Sequence, residues 1–186
     1  MKDLLIYRSH VTGGLFNVKM ILMEIGVTTN IKSNTPLSEK DSWRTPLPVF
    51  DWLNERFKFG IDLAAFAENA LCAEYIDIEY DALSTSWVDY SKQRGVAPVG
   101  FCNPPYSNIS PWVEAAGREM LKGFTTVMLI PSPNGEEYHQ KALDYADELI
   151  LIHGRLAFIN AQGKPVAGNT RGSCVYVFTQ QGFGVS

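Results

Sequence analysis

The stretch from Pro98 to Pro131, PVGFCNPPYSNISPWVEAAGREMLKGFTTVMLIP, decides the fold. Its first five residues, Pro98–Cys102, form an apolar run of strand length that stops at two prolines. Ser110-Pro111 then has the composition of a helix start, because Ser caps a helix well and Pro suits the first helical position. Lys122 and Gly123 close that helix with a cation and a permissive glycine. Phe124–Ile130 is a second continuous apolar run, rich in β-branched residues. Strand, turn, helix, strand is the unit from which parallel sheets are built. A strand that is apolar throughout, not alternating, is buried on both faces.

Working outward, the same alternation continues. Thr45-Pro46-Leu47-Pro48 opens a helix through Phe57, and Lys58–Leu63 reads as a buried strand. Glu74–Ile78 is a weaker strand, Leu83–Gln93 a short helix, Glu136–Ala146 a helix and Glu148–Ile152 another buried strand. Arg155–Asn160 and Ser173–Thr179 flank a loop containing Gly163, Pro165, Gly168 and Gly172, which suggests a hairpin. The expected fold is therefore α/β: a doubly wound, mostly parallel sheet of about seven strands with a C-terminal antiparallel hairpin at its edge. Residues 1–40 differ in character. Val18–Val27 suggests a short helix on the domain edge, followed by a polar, linker-like run from Thr28 to Lys40. The expected division is an N-terminal arm or short helix plus linker, 1–40, and a main domain, 41–186.

Composition sets limits. The chain has 186 residues, 46% hydrophobic and 19% charged, as in an ordinary globular domain. Sixteen Lys and Arg against twenty Asp and Glu give a net charge of −4, so any nucleic-acid contact must come from a local patch. Three cysteines without a CxxC spacing fit a reducing compartment and neither a disulfide framework nor a cysteine-rich zinc site. The N-terminal apolar stretches are broken by Arg8, His10, Lys19 and Glu24 and fall short of the ~20 residues of a membrane span. His10, His139 and His153 lie far apart, and no spacing suggests a metal site.

In open α/β sheets ligands sit beyond the carboxyl ends of the strands. Behind the Pro98–Cys102 strand comes Asn103-Pro104-Pro105-Tyr106. Two prolines lock the backbone and remove two N–H groups. The Pro104 carbonyl is thereby fixed beside the amide oxygen of Asn103, giving two convergent acceptors. Such a pair can hold an amino group while leaving its nitrogen lone pair available for attack. Tyr106 offers a flat face for a base. The motif suits chemistry on an exocyclic or amide nitrogen, against the plainer reading of a rigid turn with a packed Tyr.

The chain resembles the small phage-type DNA N6-adenine methyltransferases, which use S-adenosylmethionine. The resemblance covers most of residues 41–180. It is carried by Asp41-Ser42-Trp43-Arg44-Thr45-Pro46, Phe59-Gly60-Ile61-Asp62-Leu63-Ala64-Ala65, Asn103-Pro104-Pro105-Tyr106-Ser107, Val127-Met128-Leu129-Ile130-Pro131 and Gly154-Arg155-Leu156-Ala157-Phe158, in that order. It implies a Rossmann-like methyltransferase fold and methyl transfer to the N6 of a flipped adenine in DNA. The implied catalytic residues are Asn103, Pro104, Pro105 and Tyr106. Thr45 and Pro46 would close over the methionine end of the cofactor, and Asp62, Leu63 and Ala64 would form its main binding segment. Asp77 or Asp81 would meet the cofactor's ribose or adenine, and the sequence permits either. Phe158 would pack against the target base. The usual glycine-rich loop after the first core strand is replaced by Ala64-Ala65-Phe66, so the detailed cofactor contacts do not carry over.

Two loops carry residue types that contact DNA. Ala161–Gly172 holds Lys164 and Arg171, which with Ser107 complete the substrate-binding set, and Ser84–Val96 holds Lys92 and Arg94. The four tryptophans, Trp43, Trp52, Trp87 and Trp112, are expected mainly to pack the core, with Trp43 and Trp112 the two that could rim a pocket. With no room for a separate recognition domain, the expected sequence preference is short or relaxed. The expected setting is the cytoplasm of a bacterial host, with a phage or prophage origin and a link to restriction–modification; no metal or membrane is involved, and a homodimer is compatible. Two alternatives stand beside this reading: methylation of a protein glutamine or an RNA base, and a catalytically silent module that binds DNA or a partner.

Overall fold

A computed structural model describes residues 5–7, 19–24, 41, 43–166 and 171–180. Among the described residues, eight strands form one sheet. They are β1 (Leu5–Tyr7), β2 (Lys19–Glu24), β3 (Ile61–Asp62), β4 (Glu74–Tyr75), β5 (Val99–Cys102), β6 (Thr125–Pro131), β7 (Glu148–His153) and β8 (Ser173–Phe178), in the spatial order β1-β2-β7-β8-β6-β5-β3-β4. Among the described residues there are four helices: α1 (Leu47–Phe57), α2 (Trp87–Arg94), α3 (Ser110–Met120) and α4 (Glu137–Tyr145). The six strands from β3 to β8 carry the site.

The burial pattern explains why the strands read as continuous apolar runs. All seven residues of β6 and all six of β8 are buried. Successive side chains point to opposite faces. Val127, Leu129, Val175 and Val177 join Phe101 in a core under α1, whose Val49, Phe50, Leu53 and Phe57 face the sheet. Met128, Ile130, Cys174, Tyr176 and Phe178 lie in the opposite core, with Trp87 of α2, Val113 and Ala116 of α3 and Ala142 of α4. Two buried carboxylates pin helices to this frame. Glu148 of β7 takes a two-pronged hydrogen bond from Arg56 of α1, at 2.5 and 2.7 Å. Glu119 of α3 accepts from the backbone N–H of Trp87 (3.0 Å) and Val88 (3.3 Å), placing negative charge at the N-terminus of α2.

Several expectations are corrected. The sheet has eight strands, not seven, and is mixed: four neighbouring pairs are parallel and three antiparallel. β8 is no edge strand. It lies between β6 and β7, antiparallel to both. Arg155–Asn160 does not form a strand; only Ile159 makes isolated bridges, to Arg44 and to Pro165. The expected helix over Val18–Val27 is a strand where described, since Lys19–Glu24 pairs in parallel with β7 from Glu148 to His153. Ten mostly apolar residues fit either element, and the neighbouring strand decides between them. Thr28–Lys40 lies outside the described residues. β3 is shorter than Lys58–Leu63. Lys58 instead ends α1 in a left-handed conformation, φ 55°. Gly60 then passes so close to Ala97 that a Cβ would sit 2.4 Å from its carbonyl oxygen.

Candidate active site

The site lies where β3 and β5 end side by side. Asp62, the last residue of β3, is in register with Phe101, so Asn103 leaves β5 next to the loop that follows Asp62. A third segment, residues 41–45, is stitched over them. Arg44 and Ile159 exchange backbone hydrogen bonds of 2.8 and 2.9 Å, which fixes this segment against the chain that carries Phe158. Asn103 donates from Nδ2 to the Trp43 carbonyl, 3.3 Å away. The Ser107 N–H donates to Asp41 Oδ1 at 3.1 Å. These two bonds hold the tetrapeptide between them.

Fixing the Asn103 amide through its nitrogen leaves its oxygen free. Asn103 Oδ1 is buried and has no partner, and the same is true of Thr45 Oγ1 close by. Unsatisfied buried acceptors are rare in folded proteins and mark places that wait for a ligand. Three cavities meet here, and Asn103 and Asp41 line all of them. The largest is a cleft of about 590 Å³ walled by Ala64, Phe66, Ile78, Leu83, Pro105 and Trp112, with Asp77 and Asp81 at its side. That is the size range of small-molecule sites, ~300–1,000 Å³. A void of about 20 Å³ lies among Trp43, Thr45, Asp62 and Asn69. One of about 10 Å³ lies among Trp43, Pro104, Tyr106 and Phe158.

Aromatic packing narrows the smallest void. Phe158 is buried and stacks on Trp43, ring centroids 6.2 Å apart, with Tyr106 meeting it edge-on at 5.9 Å. The Tyr106 hydroxyl is buried without a partner, and burial drives its pKa far above the usual phenol value. This space holds about one water.

The cofactor candidates separate. Asp62 is 4% exposed, and its oxygens accept from Leu71 N (3.1 Å) and Ala64 N (3.4 Å), which shapes the loop after β3. Burial raises its carboxyl to about 6, with the two backbone hydrogen bonds pulling the other way. Leu63 is buried against Gly100 and does not line the cleft. Pro46 is the N-cap of α1, its carbonyl accepting from Val49 and Phe50. Asp81 uses both oxygens locally, for Leu83 N (3.2 Å) and Ser84 Oγ (2.6 Å). Asp77 uses only Oδ1, for Glu79 N and Tyr80 N at 3.0 and 3.2 Å; among the described residues its Oδ2 makes no hydrogen bond.

The expected DNA contacts divide too. Arg171 pairs with Glu136 at the start of α4. Arg94 lies over Tyr90 and Tyr80 and pairs with Glu74 at 3.5 Å, and Lys92 pairs with Asp89 at 3.5 Å. Lys164 is exposed on the turn that Asn160 Oδ1 organises by accepting from its backbone N–H. Sequence reasoning gave no role to Asp41, Phe66 or Ile78. Phe66 and Ile78 are 45% and 79% exposed and line the cleft, an apolar surface held open to solvent. A lone Asp and scattered apolar residues carry no signal of that in one dimension.

Among the described residues, no group of three or more His, Cys, Asp and Glu side chains is placed to hold a metal, and no helix is long and apolar enough to cross a membrane. The Asn-Pro-Pro-Tyr turn thus ends a central strand of an α/β sheet beside an open cleft. Residues 32–183 match the DNA N-6-adenine-methyltransferase (Dam) family, and the chain belongs to it. It is 32% identical over 165 residues to the DNA N-6-adenine-methyltransferase of Escherichia phage T1, covering 80% of this chain and 66% of that protein. It is 30% identical over 154 residues to the DNA N-6-adenine-methyltransferase of Haemophilus phage HP1, covering 79% of this chain and 83% of that one.

Proposed function

We propose that this protein transfers a methyl group from S-adenosylmethionine to the N6 amino group of adenine in DNA. The observation that carries the reading is the buried, unpartnered Asn103 Oδ1, held beside the rigid Pro104 at the mouth of a nucleoside-sized cleft. Membership of the Dam family and the names of the two phage relatives support the reaction class. The mixed sheet covered by helices is compatible with the Rossmann-like methyltransferase architecture. Residues 41–186 then form the catalytic unit, with residues 1–40 extending its sheet through β1 and β2.

The residues present fit the cofactor. The 590 Å³ cleft has apolar walls in Phe66, Ile78 and Leu83 for a flat adenine and a carboxylate, Asp77, with one oxygen to spare for ribose hydroxyls. Asp81, with both oxygens engaged, is the weaker candidate. Thr45 Oγ1 and the Ala64 segment border the smaller void, on the way to Asn103, and Asp62 holds that segment in shape. Bound there, S-adenosylmethionine supplies an electrophilic methyl group.

The chain does the rest. An adenine inside a duplex is out of reach, so the base is extruded. It enters between Tyr106 and Phe158, which must part, because the void they enclose admits only about one water. Asn103 Oδ1 and the Pro104 carbonyl accept the two N–H bonds of N6. Pro105 keeps the turn rigid, so the acceptors do not reorganise as positive charge grows on nitrogen. Much of the acceleration comes from orienting two bound partners. Arg44, Arg155 and Lys164, on the segments that meet at Ile159, supply cations for the DNA backbone. None of the three is ion-paired among the described residues, whereas Arg171, Arg94 and Lys92 are. This small reading surface supports a short or relaxed sequence preference, and the setting is the DNA of a bacterial host cell.

Asn103→Ala tests the assignment. Methyl transfer should fall by at least two orders of magnitude, with affinity for S-adenosylmethionine in isothermal titration kept within a few-fold. Wild-type turnover in the variant removes Asn103 from the mechanism. If the unmodified protein shows no binding of S-adenosylmethionine, it is a silent DNA-binding module.

A further inference from the structure

Methylation of an amino group leaves one proton to be placed, and the tetrapeptide has no group to take it. Asn103 is a neutral amide, Pro104 and Pro105 offer only carbonyls, and the Tyr106 hydroxyl is buried and stays protonated. The void beside Asn103 and Pro104 has one other ionisable side chain on its wall, Asp41. Asp41 also lines the large cleft and the void next to Thr45, so this residue stands where the cofactor side and the base side of the site meet. Its Oδ1 is fixed by the Ser107 N–H at 3.1 Å, and Ser107 directly follows the tetrapeptide. The charged groups on the walls it shares are Arg44 and Asp62 in the small void and Asp77 and Asp81 in the cleft. Asp62 is spent on two backbone N–H groups and lies deep behind Thr45.

Resting on the proposed adenine reaction, we infer that Asp41 is a catalytic residue: its carboxylate offsets the positive charge that builds on N6 and receives the proton that N6 loses. The N6–CH3 bond forms as the S–CH3 bond breaks. The electron pair of the broken bond stays on sulfur, which becomes a neutral thioether. N6 is left with four bonds, to C6, the new methyl carbon and two hydrogens, and with one positive charge. One of its two N–H groups leaves the acceptor that held it, Asn103 Oδ1 or the Pro104 carbonyl, its proton passes to the Asp41 carboxylate, the N–H electron pair returns to nitrogen as the positive charge is lost, and the carboxylic acid then exchanges its proton with water. A carboxylate suits this step because it is charged before transfer and neutral after it.

Asp41 also ties Ser107 in place, so the test separates charge from tether. Asp41→Asn keeps an oxygen that can accept from the Ser107 N–H; Asp41→Ala keeps neither oxygen nor charge. Because Asp41 lines the cleft proposed for the cofactor, both variants are compared at saturating S-adenosylmethionine, with its affinity for each measured separately. Hydrogen exchange at the Ser107 amide should stay slow in Asp41→Asn and become fast in Asp41→Ala. Single-turnover methylation of DNA should fall ~10²-fold or more in both, in keeping with the usual contribution of a positioned acid or base. An Asp41→Asn rate within a few-fold of the unmodified protein, with Asp41→Ala impaired, would reduce Asp41 to a tether and overturn the inference. Absence of DNA methylation by the unmodified protein strikes instead at the adenine reading itself.

Discussion

At the scale of single residues, the site is built by leaving some groups satisfied and others not. Asn103 spends its N–H on the Trp43 carbonyl and keeps its oxygen for a ligand. Asp62 does the reverse, spending its oxygens on the loop after β3 while buried. That burial has a measurable consequence. Its folded pKa, about 6, lies above the unfolded value of about 3.9, so the native state holds this proton more tightly. Its contribution to stability is full below about pH 4 and is lost as pH rises through about 6. Compared with Asp62→Asn, the unmodified protein should lose up to about 3 kcal/mol between pH 4 and pH 7 in denaturant titrations. Parallel pH profiles for the two proteins would contradict this. The adjacency of an amide oxygen and a rigid Pro-Pro turn was legible in the sequence, because the residue types alone carry it. The placement of Asp41 beside that turn was not, because it depends on a hydrogen bond across sixty-six positions.

At the scale of elements, what was legible follows how local the cause is. The strand–turn–helix–strand run from Val99 to Pro131 is set by neighbours in sequence, and the structure places β5, α3 and β6 within a residue or two of expectation. β8 was misplaced at the sheet edge. Its unbroken apolar run, Cys174–Phe178, is the mark of a central strand, and all of it is buried. Arg155–Asn160 reads as a strand because it is apolar, but Leu156 is buried in the core under α1 and Phe158 against the site, without pairing in a ladder. The dependence of α2 on Glu119 of α3 was equally invisible, being a contact 32 residues apart. Glu119→Ala leaves the N–H groups of Trp87 and Val88 buried without an acceptor. The expected loss is about 3 kcal/mol, read from the midpoint and slope of urea unfolding, with Glu119→Gln milder because it keeps an acceptor. A loss below about 0.5 kcal/mol in Glu119→Ala would show that α2 does not need this cap.

At the scale of the whole molecule, a net charge of −4 leaves little general attraction for DNA, so affinity must come from a few local cations. Ion pairing sorts them. Arg171 is held by Glu136, while Arg155 and Lys164 make no ion pair among the described residues. Removing Arg155 and Lys164 should lower the slope of log affinity against log salt by about 0.9 for each cation that meets a phosphate, whereas Arg171→Ala should change it little. A fall confined to Arg171→Ala would reverse the assignment of the DNA-facing side. The central claim concerns the reaction, and one measurement reaches it directly. The protein and S-adenosylmethionine are incubated separately with adenine-unmethylated DNA, RNA and bulk protein, and each digest is searched by mass spectrometry. N6-methyldeoxyadenosine from the DNA is the predicted product; methylated adenosine from RNA alone, or methylated glutamine alone, would contradict the account.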